Sequence, residues 1–345
     1  MKKVIVLILA LLMLCLSACG NVTPTTEPTD TIPTGTEPTG NEPTVCEHSV
    51  QSEVTVTKAG IFTDGQKQIV CDNCGKLISD MTIPATKSIK ILAIGNSFSV
   101  DATTFLYDLL KAAGVEEIVI GHAYIGGCTI KKHFMMSKSP STAYKYTKYT
   151  SSGKKEQESS LLGMVTDESW DIVTLQQASQ DSGMPATYEN LPGLIDFVLE
   201  NCTNKQVDIK FHMTWAYQQD STHSGFNNYN NDQMTMYNAI KSTVQDVVLK
   251  QEAISGVLPS GTAIQNLRTS YLGDTLTCDG YHLSTDIGRY TAGLTWTCAI
   301  TGKSPDEIEW TPASFKIVKE NISPIREAVK NAIAVPFEVT ESLMK

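Results

Sequence analysis

Residues 88–99 read Ser-Ile-Lys-Ile-Leu-Ala-Ile-Gly-Asn-Ser-Phe-Ser. Ile89–Ile94 is an apolar run of strand length, and Gly95 lets the backbone leave it sharply. Phe105, Leu106, Leu109, Leu110 and Ala113 then recur at helical spacing up to Gly114, a C-terminal stop. The same alternation continues outward. Glu117–Tyr124 reads as a second strand, and Trp170–Gln176 (WDIVTLQ) as a third after a helical stretch around Glu158–Val165. Leu194–Leu199 falls in a helix, Val207–Trp215 in a fourth strand. Gln233–Leu249 predicts a long amphipathic helix, and Ser284–Ile300 and Phe315–Ile333 two more. Strands alternating with helices predict an α/β fold, a three-layer α/β/α sandwich around a mostly parallel sheet.

Ligands of such sheets bind beyond the carboxyl ends of the strands, so the residues just after each strand are the place to look for chemistry. Ser97 stands directly after the first strand and opens a helix, exposed and close to backbone N–H groups that can hold an oxyanion. A serine there is usually a helix cap. Cys278-Asp279-Gly280-Tyr281-His282-Leu283-Ser284 changes that reading. A serine hydroxyl needs an imidazole to take its proton, and the imidazole needs a carboxylate to fix its tautomer. Asp279 and His282, three apart on one loop, supply both.

With these two blocks the chain resembles the SGNH (GDSL-like) hydrolase superfamily, in the group whose first block reads GNSFS. The resemblance implies an SGNH/flavodoxin-like hydrolase domain over 88–340, including a C-terminal helical extension. It implies Ser97, Asp279 and His282 as a catalytic triad, and an oxyanion hole from the Ser97 and Gly127 N–H groups. A third block, GxND in the superfamily, reads Gln177-Ala178-Ser179-Gln180-Asp181 here. Gln180 takes the asparagine's place by alignment, and Gln177 is a rival nearer the strand. The implied activity is ester hydrolysis without a cofactor, on an acylated glycan or another small ester. Trp215 and Tyr217 follow the fourth strand and read equally as sugar-stacking faces or as core. His212 reads as a packed strand residue.

The rest of the chain bounds the setting. Hydrophobic residues make up 41% of it, enough for a large core, and the net charge of −10 argues against nucleic acid as a partner. Lys2, Lys3, the apolar run from Val4 to Leu14 and Leu16-Ser17-Ala18-Cys19 form an export signal over 1–18 that resembles a lipobox. The expectation is a bacterial surface protein lipid-anchored to the membrane through Cys19. Residues 19–45, rich in Thr and Pro with Glu-Pro-Thr recurring, read as a disordered linker. Over 46–84, Cys46, His48, Cys71 and Cys74 make a C-x-H…C-x-x-C pattern, which resembles a β-rich zinc-ribbon-like module with a structural zinc; disulfides are the competing reading. Two other functions stay open on sequence: a non-catalytic glycan-binding lipoprotein on a degenerate SGNH fold, and a metal-dependent hydrolase.

Overall fold

The computed structural model describes residues 46–345; the expected signal, Cys19 and the linker lie outside the described residues. Strands β1 (Gln51–Thr57), β2 (Gly65–Cys71) and β3 (Leu77–Ile83) form an antiparallel three-stranded sheet. Nearly all side chains of β1 and β3 are exposed, so little apolar burial holds this small sheet together. It rests on the main domain through Ile61 and Phe62, which pack against the large core. Thr86 and Lys87 donate backbone N–H bonds to Gly60 and Ile61. The seam is at the amino end of β4 (Ser88–Gly95).

The main sheet adds β5 (Glu117–Tyr124), β6 (Tyr144–Thr150), β7 (Gly153–Ser159), β8 (Ile172–Leu175), β9 (Asp208–His212) and β10 (Ile254–Leu258). Its order is β10-β9-β8-β4-β5-β6-β7. Five strands run parallel, and the hairpin β6–β7 extends the β5 edge antiparallel. Ile91, Leu92, Ala93 and Ile94 of β4 are all buried, although successive side chains point to opposite faces. Both faces of the sheet are therefore covered, as a parallel sheet requires.

Helices α1 (Ser97–Thr103), α2 (Leu106–Ala112), α3 (Ile130–Ser137), α4 (Leu161–Val165), α5 (Leu191–Asn201), α6 (Gln233–Thr243), α7 (Ser260–Arg268), α8 (Ile287–Thr301), α9 (Lys316–Glu320) and α10 (Ile322–Ala334) supply that cover. α8 packs on α1, α2, α7 and α10, while α3, α4 and α5 pack together. The mixed α/β architecture matches the sequence expectation, with local differences that have physical causes. The expected helix over 233–249 ends as a regular α-helix at Thr243 and closes in a wider π turn, Val244–Val248. Phe315–Ile333 is broken near Asn321, because Pro324 fits only the first turn of α10. Glu158 and Ser159 belong to strand β7, and Ser160 caps α4 by accepting the Gly163 N–H at 3.1 Å. β6, β7, β10, α3 and α7 were not expected. Among the described residues no helix is long and apolar enough to cross a membrane.

Because β5 lies on one side of β4 and β8 on the other, the chain reverses direction across the sheet at the carboxyl end of β4. The segment after β9 is held at that end by Arg268, whose guanidinium donates to Ala216 O and Gln265 Oε1, each at 3.0 Å. Its Nε lies 2.7 Å from Asp274 Oδ1, without hydrogen-bond alignment. Asp274 Oδ2 in turn accepts Gln219 N–H at 2.8 Å. Arg268→Ala removes the buried cation and leaves these acceptors unpaired; it is expected to lower unfolding free energy by about 3 kcal/mol in a denaturant titration.

Candidate active site

Gly95 ends β4 where a side chain has no room: an added Cβ would lie 2.5 Å from Ser99 Oγ and 2.9 Å from Gln176 Cδ. Asn96 follows in an extended conformation and caps α1, its Oδ1 accepting Phe98 N–H at 3.0 Å. The same oxygen accepts from Gln176 Nε2 at 2.7 Å, and Asn96 Nδ2 donates to Cys128 O at 3.1 Å. Gln176 Oε1 meets His212 Nδ1 at 2.9 Å. One buried asparagine thus ties the end of β4 to the loops after β5 and β8 and, through Gln176, to β9. Ser97 is left at the first helical position with its hydroxyl outward, where N–H groups have no intrahelical partner.

The loop over 278–283 comes to it from the far end of the domain. His282 Nε2 lies 2.8 Å from Ser97 Oγ, 185 residues away in sequence. His282 Nδ1 lies 2.7 Å from Asp279 Oδ2. Asp279 Oδ1 accepts the backbone N–H groups of His282 at 2.7 Å and Tyr281 at 3.1 Å. This turn needs Gly280, which sits at φ +88 against Ser221. Burial raises the Asp279 carboxyl, but the hydrogen bonds from the His282 ring and from the two N–H groups outweigh it and hold the group below the usual carboxylate range. Asp279 therefore favours the folded site above the ordinary carboxylate range, and that contribution disappears as pH falls through its lowered value.

Asp101 fastens this loop to α1. Buried one turn beyond Ser97, its Oδ2 accepts Leu283 N–H at 2.8 Å and its Oδ1 pairs with Arg289 Nη2 at 2.8 Å. Burial pushes its carboxyl up, and Arg289 opposes the rise. From below, Trp215 Nε1 donates to Tyr281 O at 2.8 Å, and the Trp215 ring stacks on Phe98 with centroids 4.5 Å apart. Trp215 and Tyr217 are both 0% exposed, which corrects their reading as stacking faces: they support the loop. Tyr217 spends its hydroxyl on Ser179 Oγ at 2.8 Å. The aromatic rings bordering the open space are instead Tyr124, Tyr149 and Tyr281.

Two cavities meet at Ser97 and His282. One, of about 300 Å³, is lined by Gly127, Gln180, His223 and Tyr281 among others. Gly127 is exposed at φ +57, a conformation that suits glycine. Gln177 does not reach this space. Its Nε2 donates to Thr187 O and Oγ1, each at 3.0 Å, and its Oε1 accepts the Ile130 and Ala178 N–H groups, each at 2.9 Å. The amide is wholly used in bracing loops, so Gln177 is corrected from oxyanion donor to structural residue. His223, which has no motif spacing in the sequence, also borders this space. Its Nδ1 accepts Gly225 N–H at 3.0 Å, so the neutral ring carries its proton on Nε2.

The second cavity, of about 410 Å³, runs between α1 and the β5–β6–β7 face. Three buried histidines, among them His122 in the lining of this cavity, are held neutral. Burial lowers His122 to about 4, and His133 and His212 to about 3 each, with neighbouring cations adding to the effect at His122 and His133. Away from this site, in the small sheet, the ligand atoms of Cys46, His48, Cys71 and Cys74 all lie within 4.8 Å of one another, and Cys74 Sγ is 3.3 Å from His48 Nδ1. Ligands of a tetrahedral zinc stand about 3.3–3.8 Å apart, so the set has the chemistry and the span for that ion.

Residues 90–331 match the family described as "Domain of unknown function (DUF4886)". The chain belongs to the DUF4886 family. A DUF4886 family protein from Bacteroides uniformis, known from a crystal structure, is similar at 39% identity and a TM-score of 0.70, over 74% of this chain and 98% of that one. A protein from Slackia heliotrinireducens, provisionally assigned to the SGNH hydrolases, is similar at 17% identity and a TM-score of 0.40, over 61% of this chain and 97% of its own. An acetylxylan esterase from Geobacillus stearothermophilus is similar at 13% identity and a TM-score of 0.37, over 64% and 94% respectively. No curated protein matches the chain.

In this DUF4886 protein, Asp101→Ala removes the acceptor that ties Leu283 of the 278–283 loop to α1, together with the ion pair to Arg289 of α8. It is expected to cost about 2–3 kcal/mol of stability, and hydrogen exchange at the Leu283 amide should quicken well beyond the global change.

Proposed function

We propose that the protein is a serine hydrolase that cleaves esters by acyl transfer. One observation carries the reading: an unbroken line from the Ser97 hydroxyl through His282 to Asp279, with contacts of 2.8 and 2.7 Å. His282 Nε2 takes the Ser97 proton as Oγ attacks the ester carbonyl carbon. The charge that develops on the carbonyl oxygen is held by the Ser97 and Gly127 N–H groups, with the Gln180 amide as a third donor. When the tetrahedral species collapses, the alcohol leaves with the proton from His282. Water then gives a proton to His282, attacks the acyl-serine and releases the acid, and Ser97 recovers its proton. Asp279 holds the imidazole in the Nδ1–H tautomer and stabilises its charged form. None of these steps needs a cofactor.

The substrate class that fits is an acylated sugar or a similarly polar small ester, because the space around Ser97 is open, polar and bordered by tyrosines. A fluorophosphonate, which reacts only with an activated serine, is expected to label Ser97. Ser97→Ala should abolish labelling and reduce release of acetate from acetylated sugars roughly 10⁴-fold or more. Full-rate release by the variant overturns the mechanism, and an unlabelled wild type favours a glycan-binding protein instead.

The expected lipid anchor at Cys19 and the zinc module complete the reading. A zinc held by Cys46, His48, Cys71 and Cys74 would have four protein ligands and no open position, which gives it a structural task. The seam between this module and the main domain is at the amino end of β4, while Ser97 follows its carboxyl end, which supports a metal that stands apart from the reaction. Elemental analysis should find about one zinc per chain. A chelator should unfold residues 46–84 and leave esterase turnover in place. Zinc-free protein with bridged cysteines would overturn the metal assignment.

A further inference from the structure

The second cavity is built differently from the first. β6 and β7 form the antiparallel edge of the sheet, and Lys145, Thr147, Tyr149, Lys154 and Glu156 of this hairpin line one wall of a trough that ends at Ser97 and His282. The pairings Tyr124↔Lys145, Thr147↔Glu156 and Tyr149↔Lys154 bring these side chains into cross-strand rows. Tyr124 and Tyr149 are partly exposed there. Lys145 Nζ stands 3.1 Å and Lys154 Nζ 2.6 Å from Glu156, so one carboxylate gathers two ammonium groups at the rim. Both hold Glu156 ionised, its carboxyl drawn down to about 2 by hydrogen bonds from Lys154 and then Lys145. Lys154 also lies over the Tyr149 ring, 5.8 Å from its centroid. Deeper in the trough, Arg289 is already balanced by Asp101 at 2.8 Å. The rim cluster therefore carries one positive charge in excess, on a chain whose net charge is −10.

Resting on the esterase reading above, we infer that this trough is the alcohol-side subsite and selects a sugar ester whose sugar ring carries a carboxylate. The side follows from the oxyanion donors: His282, which must protonate the leaving oxygen, borders both cavities, but Gly127 and Gln180, which would hold the carbonyl oxygen, line only the other one, and the trough is left for the alcohol. Tyrosine faces suit the apolar face of a pyranose ring, and the lysine pair can bind its carboxylate without displacing Glu156. The chain's net charge of −10 repels an acid on average, so the local cation has a sorting effect as well as a binding one.

The test compares the acetyl esters of methyl glucoside and methyl glucuronoside, acetylated at the same position. The wild-type kcat/KM should favour the glucuronoside about fivefold at low salt, mainly through KM, and the preference should shrink in about 0.5 M NaCl. In the K145Q/K154Q double variant the ratio should fall to about one, and in K145R/K154R it should persist. A wild-type ratio of one or less, or a preference that survives in the double Gln variant, overturns the inference. If neither ester nor 4-nitrophenyl acetate is turned over, the esterase reading has failed instead. The subsite is then judged by titrating unacetylated methyl glucuronoside and methyl glucoside into Ser97→Ala protein, where equal binding overturns it.

Discussion

The Asp101 carboxylate, buried in the first helix, holds the site together. It accepts the Leu283 N–H and pairs with Arg289, and so binds the loop carrying Asp279 and His282 to the helix carrying Ser97. A buried carboxylate is costly unless every lone pair finds a partner. Here the partners come from the loop and from α8, so the group can be satisfied only when the far end of the domain has closed onto the first strand. Folding of the domain and assembly of the proton-sharing line are in this way the same event.

The surrounding polar groups follow the same logic. Asn96, Gln176 and Gln177 are buried amides at the carboxyl ends of strands and Arg268 is a buried cation at the end of α7, and nearly all their hydrogen-bonding capacity is spent on loop backbone or on neighbouring side chains. Loops that carry function are ordinarily mobile. Here they are fixed by side chains rooted in the sheet, which lets a surface site hold its geometry without extra layers of structure. The two cavities left open at Ser97 differ in chemistry because different elements make them: turns and a glycine on one side, a strand hairpin that presents lysines on the other.

Much of this was legible in the chain. The strand–glycine–serine–helix unit at 88–114 reads as α/β without any structure, because apolar runs of strand length and 3.6-residue spacing report local geometry directly. Asp279 and His282 read as partners because a three-residue separation on one turn leaves few other arrangements. The hairpin over 144–159 is not legible as strand, because YKYTKYT mixes lysine and threonine with tyrosine and is followed by the polar run of β7, so no apolar face marks it. Asp101 had one signal, a carboxylate four residues after Ser97 on a helix that is otherwise apolar and polar-neutral. His223 had none, since its place is set by a turn that packs Gly225 against Gln180.

The amino-acid sequence alone determined the layer architecture, the candidate serine, histidine and aspartate, and the four-residue metal pattern, all of which rest on short-range spacing and residue chemistry. Tertiary structure decided which neighbours are open to solvent. Trp215 and Tyr217 became core, Gln177 became a brace, and Tyr124, Tyr149 and the lysine pair became the walls of the site. Exposure is a property of what packs on top, contributed here by segments from ten to more than a hundred residues away, and no local pattern carries that information.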